Sequence, residues 1–248
     1  PPISVGDKRA YQFWVKQPSL PERTRDAGLR FQPNLERLYQ LKPDRFIQSS
    51  WFAHLKPQFE QIAPVSELDF ADDNGTRFEL TVAATRTLGK MVGAEAAAEQ
   101  LIRSSQQRLN QARTVVAPYR NRPLAVVQFV DSRHLRIYGE SSLYHSVMAQ
   151  LGLQNAWRGE SNAWGFANIP LTRLAQLPPD TLLLIVPPHP PLVQHALQKN
   201  AVWQRLPFAQ SANRRVLDHS WSYGALPSMT HFADQLASRL PDTRERPW

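Results

Sequence analysis

Apolar and polar positions along this chain switch between two periods. From Pro33 to Leu41 the apolar side chains fall at Leu35, Leu38 and Leu41, the spacing of one helix face. Arg45-Phe-Ile-Gln48 is too short for a helix and predicts a strand. After an aromatic turn at Trp51 and Phe52, Pro57-Gln-Phe-Glu-Gln-Ile62 predicts a helix with Pro in its first turn, where the missing N–H removes no hydrogen bond. Helical spacing resumes from Thr76 to Val92. From Ala94 to Tyr119 the chain is mostly Ala, Glu, Gln, Arg and Leu, about 25 residues of strong helix formers. At roughly 1.5 Å per residue that helix is longer than one small lobe needs, so it is expected to act as a rigid strut between two lobes.

Beyond it, Pro123-Leu-Ala-Val-Val-Gln-Phe-Val130 and Thr181-Leu-Leu-Leu-Ile-Val186 are apolar runs of strand length, the second stopped by Pro187, Pro188, Pro190 and Pro191. Leu135-Arg-Ile-Tyr138 and Arg215-Val-Leu217 predict two shorter strands. Ser142 to Leu151 predicts a helix ended by Gly152, a helical stretch runs to about Lys199 with a short one over Trp203, and Leu226 to Leu240 predicts the last helix. Strands alternating with helices predict an α/β fold: two lobes with mostly parallel sheets, residues 1–93 and 120–248, joined by a connecting helix over 94–119.

Composition narrows the functional classes. The 248 residues are 42% hydrophobic, enough to fill the cores of two lobes, and no stretch of about 18 apolar residues suggests a membrane span. The chain begins Pro1-Pro-Ile-Ser-Val-Gly6 without an initiator Met and is expected to be a processed or truncated product. Without cysteine it has no disulfide, thiolate metal site or cysteine nucleophile. The formal charge of +8 raises a nucleic-acid reading, but Arg outnumbers Lys 23 to 6 and is scattered rather than gathered into a phosphate-tracking stripe.

The hydrolase, nucleotide, zinc-protease and dinucleotide signatures are absent. No two histidines share the i, i+4 spacing of a helical metal site. Asp72 and Asp73, in Ala71-Asp-Asp-Asn-Gly-Thr76, are explained by Asx-turn chemistry without a metal. What recurs is large aromatics at loop positions: Trp14 in Tyr11-Gln-Phe-Trp-Val15, Trp51 with Phe52, Trp157 and Trp164 in Asn155-Ala-Trp-Arg-Gly-Glu-Ser-Asn-Ala-Trp-Gly165, and Trp221 with Tyr223. Ligands of open α/β sheets sit beyond the carboxyl ends of strands, so two lobes would bring these rings to one cleft for a bulky, partly apolar ligand. Arg30, ahead of a helix start, is suited to bind ligand oxygens through its fork of donors.

The segments Tyr11-Gln-Phe-Trp-Val15, Gly28-Leu-Arg-Phe-Gln-Pro-Asn-Leu35, Ile62-Ala-Pro64, Asp131-Ser-Arg-His134, Asn155 to Gly165 and Trp221-Ser-Tyr-Gly-Ala225 resemble, in order along the chain, the ferric hydroxamate siderophore binding proteins of the bacterial periplasm. The resemblance implies two α/β lobes on one long helix, no catalysis, and delivery of a ferric hydroxamate siderophore to an inner-membrane ABC permease driven by its ATPase. It implies a periplasmic monomer, with iron held by the siderophore and neither a cofactor nor a protein ligand to the metal. By the same resemblance Arg30 hydrogen-bonds the hydroxamate oxygens, Trp14, Trp157, Trp164, Trp221 and Tyr223 line the cleft, and Asn162 makes a polar contact. Trp51 and Phe52 stand where the family has a hydroxamate-binding tyrosine, and neither has a phenolic hydroxyl. The family's opening strand and helix are expected to be missing from the first lobe, which would expose apolar surface. The rival readings are a binding protein for cobalamin or haem, an enzyme using Ser161 or His134, and a basic nucleic-acid binder.

Overall fold

The computed structural model describes residues 2–15 and 18–244. Its largest sheet runs in the order Phe166–Pro170, His134–Tyr138, Pro123–Phe129, Leu182–Ile185, Arg214–Val216, with Gln154–Asn155 beside the start of Pro123–Phe129. Side chains on a strand alternate between faces, and here both faces are covered. Leu124, Val126, Leu182 and Leu184 pack into one core with the helices Leu143–Leu151 and Leu226–Arg239. Their neighbours Ala125, Val127, Leu183 and Ile185 enter a second core with Leu197, Trp203 and Phe208. Burial on both sides is why these strands read as unbroken apolar runs.

The expected parallel pairing holds where Pro123–Phe129 meets Leu182–Ile185 and where that strand meets Arg214–Val216. The other flank is antiparallel, apart from Gln154–Asn155, which runs parallel to the start of Pro123–Phe129. Only residues 130–133 separate Phe129 from His134, too few for a crossover, so the chain must turn back as a hairpin. Phe166–Pro170, which the apolar pattern did not predict, extends that flank; its Asn168 and Pro170 are exposed and dilute the strand signal.

Several predicted boundaries are set by identifiable chemistry. Ser142 caps Leu143–Leu151 by accepting from the His145 N–H, and Gly152 ends it at φ 73°, in the left-handed region. Asn34 accepts from the Arg37 N–H and starts Leu35–Leu41. Asp72 accepts from the Asn74 N–H, the expected Asx turn, here at the tip of a hairpin between Ala71–Asp72 and Gly75–Thr76.

The long helix is Glu95–Val115, followed by a short 3-10 turn at Ala117–Tyr119. Ala98, Ile102, Ser105, Leu109 and Ala112, spaced four and three residues apart, form its buried stripe. Ile102, Leu109 and Ala112 share the core of Leu226–Arg239, and Arg108 reaches Thr230 and forms an ion pair with Asp234 on that helix. The element is therefore not a free strut: one face is laid along the second half of the molecule.

The first third is built more lightly. Phe46–Gln48 pairs in parallel with Val65–Glu67, and Ser4–Val5 with Arg25–Asp26. Its core is Ala27, Leu38, Leu55 and Phe59, with Phe46 stacked on Phe59 at 4.5 Å between ring centres. Leu29, Phe31, Tyr39 and Ile47 remain exposed.

Candidate ligand-binding site

Aromatic rings from both ends of the chain meet in one chain of contacts. Trp14 comes from a wide π-type turn at Tyr11–Val15, and its ring centre is 5.8 Å from that of Trp221. Trp221 lies 5.2 Å from Tyr223, and Tyr223 lies 5.4 Å from Trp164. Trp51, in the 3-10 helix Ser50–Leu55, meets Trp164 edge-on at 3.8 Å and Tyr223 at 6.4 Å. Arg30 sits at the tip of the hairpin between Gly28–Leu29 and Gln32–Pro33. Its guanidinium is 6.0 Å from the Trp221 ring and 5.9 Å from Phe31, within cation–π range.

The strand geometry explains much of this gathering. Trp51 follows Phe46–Gln48, and Trp221 and Tyr223 follow Arg214–Val216, so all three stand beyond the carboxyl ends of strands. Trp164 belongs to the loop that enters Phe166–Pro170. That loop is held closely: Gly165 has φ 79°, and a Cβ there would lie 2.7 Å from Ser142 Cα. The Gly165 carbonyl accepts from the Gly139 N–H.

Of the nine residues expected to line the cleft, Trp14, Arg30, Trp51, Trp164, Trp221 and Tyr223 are joined directly. Phe52 is one step removed, touching Phe31 at 5.4 Å and packing against the small first core. Asn162 is exposed, and its Oδ1 accepts from the backbone N–H groups of Trp164 and Phe166, so it shapes the loop that presents Trp164. Trp157 corrects the expectation. It is 6% exposed and belongs to the buried core of Ile137 and Ile169, whereas Trp164 is 43% exposed. Asn155 anchors the difference: buried, it donates to the Tyr138 carbonyl and accepts from the Trp157 N–H, so the turn starts inside the sheet and directs its ring inward.

Sequence reasoning missed Phe31 and a polar group near Tyr223. Phe31 directly follows Arg30, which was the available signal. In that group Gln128 accepts from Arg136 and from the Tyr138 hydroxyl and donates to the Pro188 carbonyl. Burial raises the Tyr223 phenol and pushes that of Tyr138 up to about 12. Both hydroxyls therefore stay protonated at neutral pH and can donate hydrogen bonds.

The residues of the rival enzyme reading do not form a reacting pair. His134 opens its strand and its Nδ1 pairs with Asp131 at 3.0 Å. Ser161 bonds Ser141 and lies against Gly139, past the other end of the same strand. Five residues of extended chain place them roughly 15 Å apart, beyond proton-transfer reach. Among the described residues, no group of three or more His, Asp or Glu is placed to hold a metal ion, and no helix is long and apolar enough to cross a membrane.

A sequence model of the family described as periplasmic binding protein matches residues 1–220. The iron(3+)-hydroxamate-binding protein FhuD of Escherichia coli strain K12 is 29% identical over 239 residues, which span 96% of this chain and 80% of that protein. The achromobactin-binding periplasmic protein of Dickeya dadantii is 31% identical over 191 residues, 73% of this chain and 59% of its own length. Among solved structures, the siderophore-binding protein FhuD of Vibrio cholerae bound to Fe3+-Desferal superposes with a TM-score of 0.88 at 26% identity, covering 98% of this chain and 92% of that one.

Proposed function

The chain belongs to the periplasmic binding protein family, and from that premise we propose that it captures a ferric hydroxamate siderophore in the periplasm and hands it to an inner-membrane ABC permease. The observation that carries this reading is the cluster of Trp14, Arg30, Trp51, Trp164, Trp221 and Tyr223, assembled from opposite ends of the chain. The rings supply apolar area for the organic shell of the complex, and Arg30 supplies charged donors for its iron-coordinating oxygens. Iron is cargo, ligated by the siderophore. The names of the Escherichia coli and Vibrio cholerae relatives, and the Fe3+-Desferal complex of the latter, support the ligand class.

Two features define how capture works. Nε of Arg30 is engaged with Asp7 at 2.7 Å, which fixes the guanidinium at the mouth of the cluster and leaves its other nitrogens for the ligand. Trp51 and Trp164 touch across the cleft, so an entering complex exchanges ring–ring contact for ring–ligand contact. Exposed rings packed against a coloured iron complex lose their fluorescence, which makes the test direct. Titration of the purified protein with a ferric trishydroxamate is expected to quench Trp emission with a micromolar or tighter Kd, and haem, cobalamin or a ferric triscatecholate should not displace it. Displacement by haem or cobalamin at equal concentration, or no quenching by the trishydroxamate, would overturn the assignment.

A further inference from the structure

Arg136 lies in the middle of the strand His134–Tyr138, opposite Gln128 on one neighbour and Asn168 on the other. Its side chain is only partly exposed. The guanidinium carbon stands 4.6 Å from the centre of the Phe166 ring, the residue two after Trp164. Its charge is also close enough to the Tyr223 hydroxyl to oppose the rise that burial imposes there.

Arg136 takes part in none of the ion pairs found among the described residues. Its hydrogen bonds go to neutral groups, the Gln128 Oε1 at 3.4 Å and the Tyr138 phenol. The Nε atom is buried and has no partner. A guanidinium carries five N–H donors, and leaving a buried one unpaired is costly. Arg30, on the opposite wall, already has Asp7. The uncompensated positive charge near the rings is therefore that of Arg136, close to Tyr223.

We propose that Arg136 is a specificity-determining residue of the binding cleft, one that, among ferric hydroxamate complexes, selects those bearing a carboxylate or a net negative charge over neutral and cationic ones. The ring of Phe166 and the amide of Gln128 hold the guanidinium in place, and its fork of donors suits a carboxylate. This inference rests on the siderophore reading above and names the ligand charge that the same site prefers.

The test is a fluorescence titration of the wild type, Arg136→Leu and Arg136→Lys with three probes: an anionic citrate-dihydroxamate complex (ferric aerobactin), a neutral trishydroxamate (ferrichrome) and a cationic one (ferrioxamine B). The wild type is expected to bind the anionic probe more tightly than the cationic one by about tenfold or more, the scale of one charge-assisted hydrogen bond. In Arg136→Leu the ratio of anionic to neutral affinity should fall by about tenfold or more, and Arg136→Lys should recover part of it. An unchanged ratio in Arg136→Leu, or an equal loss for all three probes, overturns the proposal, the latter showing that Arg136 only supports packing. Urea midpoints of both variants separate misfolding from altered selectivity. If the wild type binds none of the probes, the siderophore reading itself fails; if it binds the neutral probe and the ratio stays fixed, only the role of Arg136 fails.

Discussion

Asn155-Ala-Trp157 and Asn162-Ala-Trp164 are the same tripeptide in the same turn: each Asn Oδ1 accepts from the Trp backbone N–H, at 3.1 and 2.9 Å. One ring is core and the other is exposed among the clustered rings, so on the proposed site the two should respond oppositely to truncation. Trp157→Ala is expected to lower unfolding free energy by about 3–5 kcal/mol in urea denaturation, because it empties a well-packed site, while folded molecules keep their ligand affinity. Trp164→Ala should reverse the pattern, weakening ligand binding severalfold with a stability change under about 1 kcal/mol. Arg30→Ala is expected to weaken ferric siderophore binding by tenfold or more, the loss of a charge-assisted hydrogen bond worth roughly 1.5–3 kcal/mol. Calorimetric titration checks it, and an unchanged Kd would remove Arg30 from the site. The Asn turn was not read from the sequence at either position, where Asn162 was expected only as a polar contact. Nor was the direction of the ring, because it depends on whether the Asn is itself fixed inside the sheet.

Among the elements, the loop before Phe166–Pro170 is the one whose backbone geometry sets the site. Gly165 combines a left-handed φ with a close approach to the Ser142 backbone, and Ser142 in turn caps Leu143–Leu151. Gly165→Ala therefore strains the loop and pushes it away from the helix start. Stability is expected to fall by about 1–3 kcal/mol, and ligand affinity with it, since Trp164 is the preceding residue. A variant with wild-type Kd and urea midpoint would show the loop to be adaptable. Elements with a strong period were legible: the helices near 35–41, 78–91, 95–115, 143–151 and 226–239 and the strands near 123–129 and 182–185 were predicted within a few residues. Phe166–Pro170 was not, because an edge strand with polar exposed positions has a weak pattern and is specified by pairing with His134–Tyr138.

Across the whole molecule, apolar burial is uneven. Two large cores line the faces of the main sheet, while the first third closes around Ala27, Leu38, Leu55 and Phe59. Local stability follows buried apolar contact, so amide exchange should be faster in Phe46–Gln48 and Val65–Glu67 than in Leu182–Ile185, and a bound ligand should slow the former most. Hydrogen-exchange mass spectrometry with and without a ferric trishydroxamate measures both; equal protection in the two regions would refute the uneven build. The sequence by itself determined the α/β class, the long helix, the helix over about Ser142 to Leu151 with its Gly152 stop, and the supply of loop aromatics, because side-chain polarity and backbone preference act over a few neighbouring residues. Only the tertiary structure decided that Trp157 is core, that rings from position 14 to position 223 meet in one cluster, and that Arg136 lies near them without a counter-charge. Those outcomes depend on contacts between segments far apart in the chain, which no local pattern encodes.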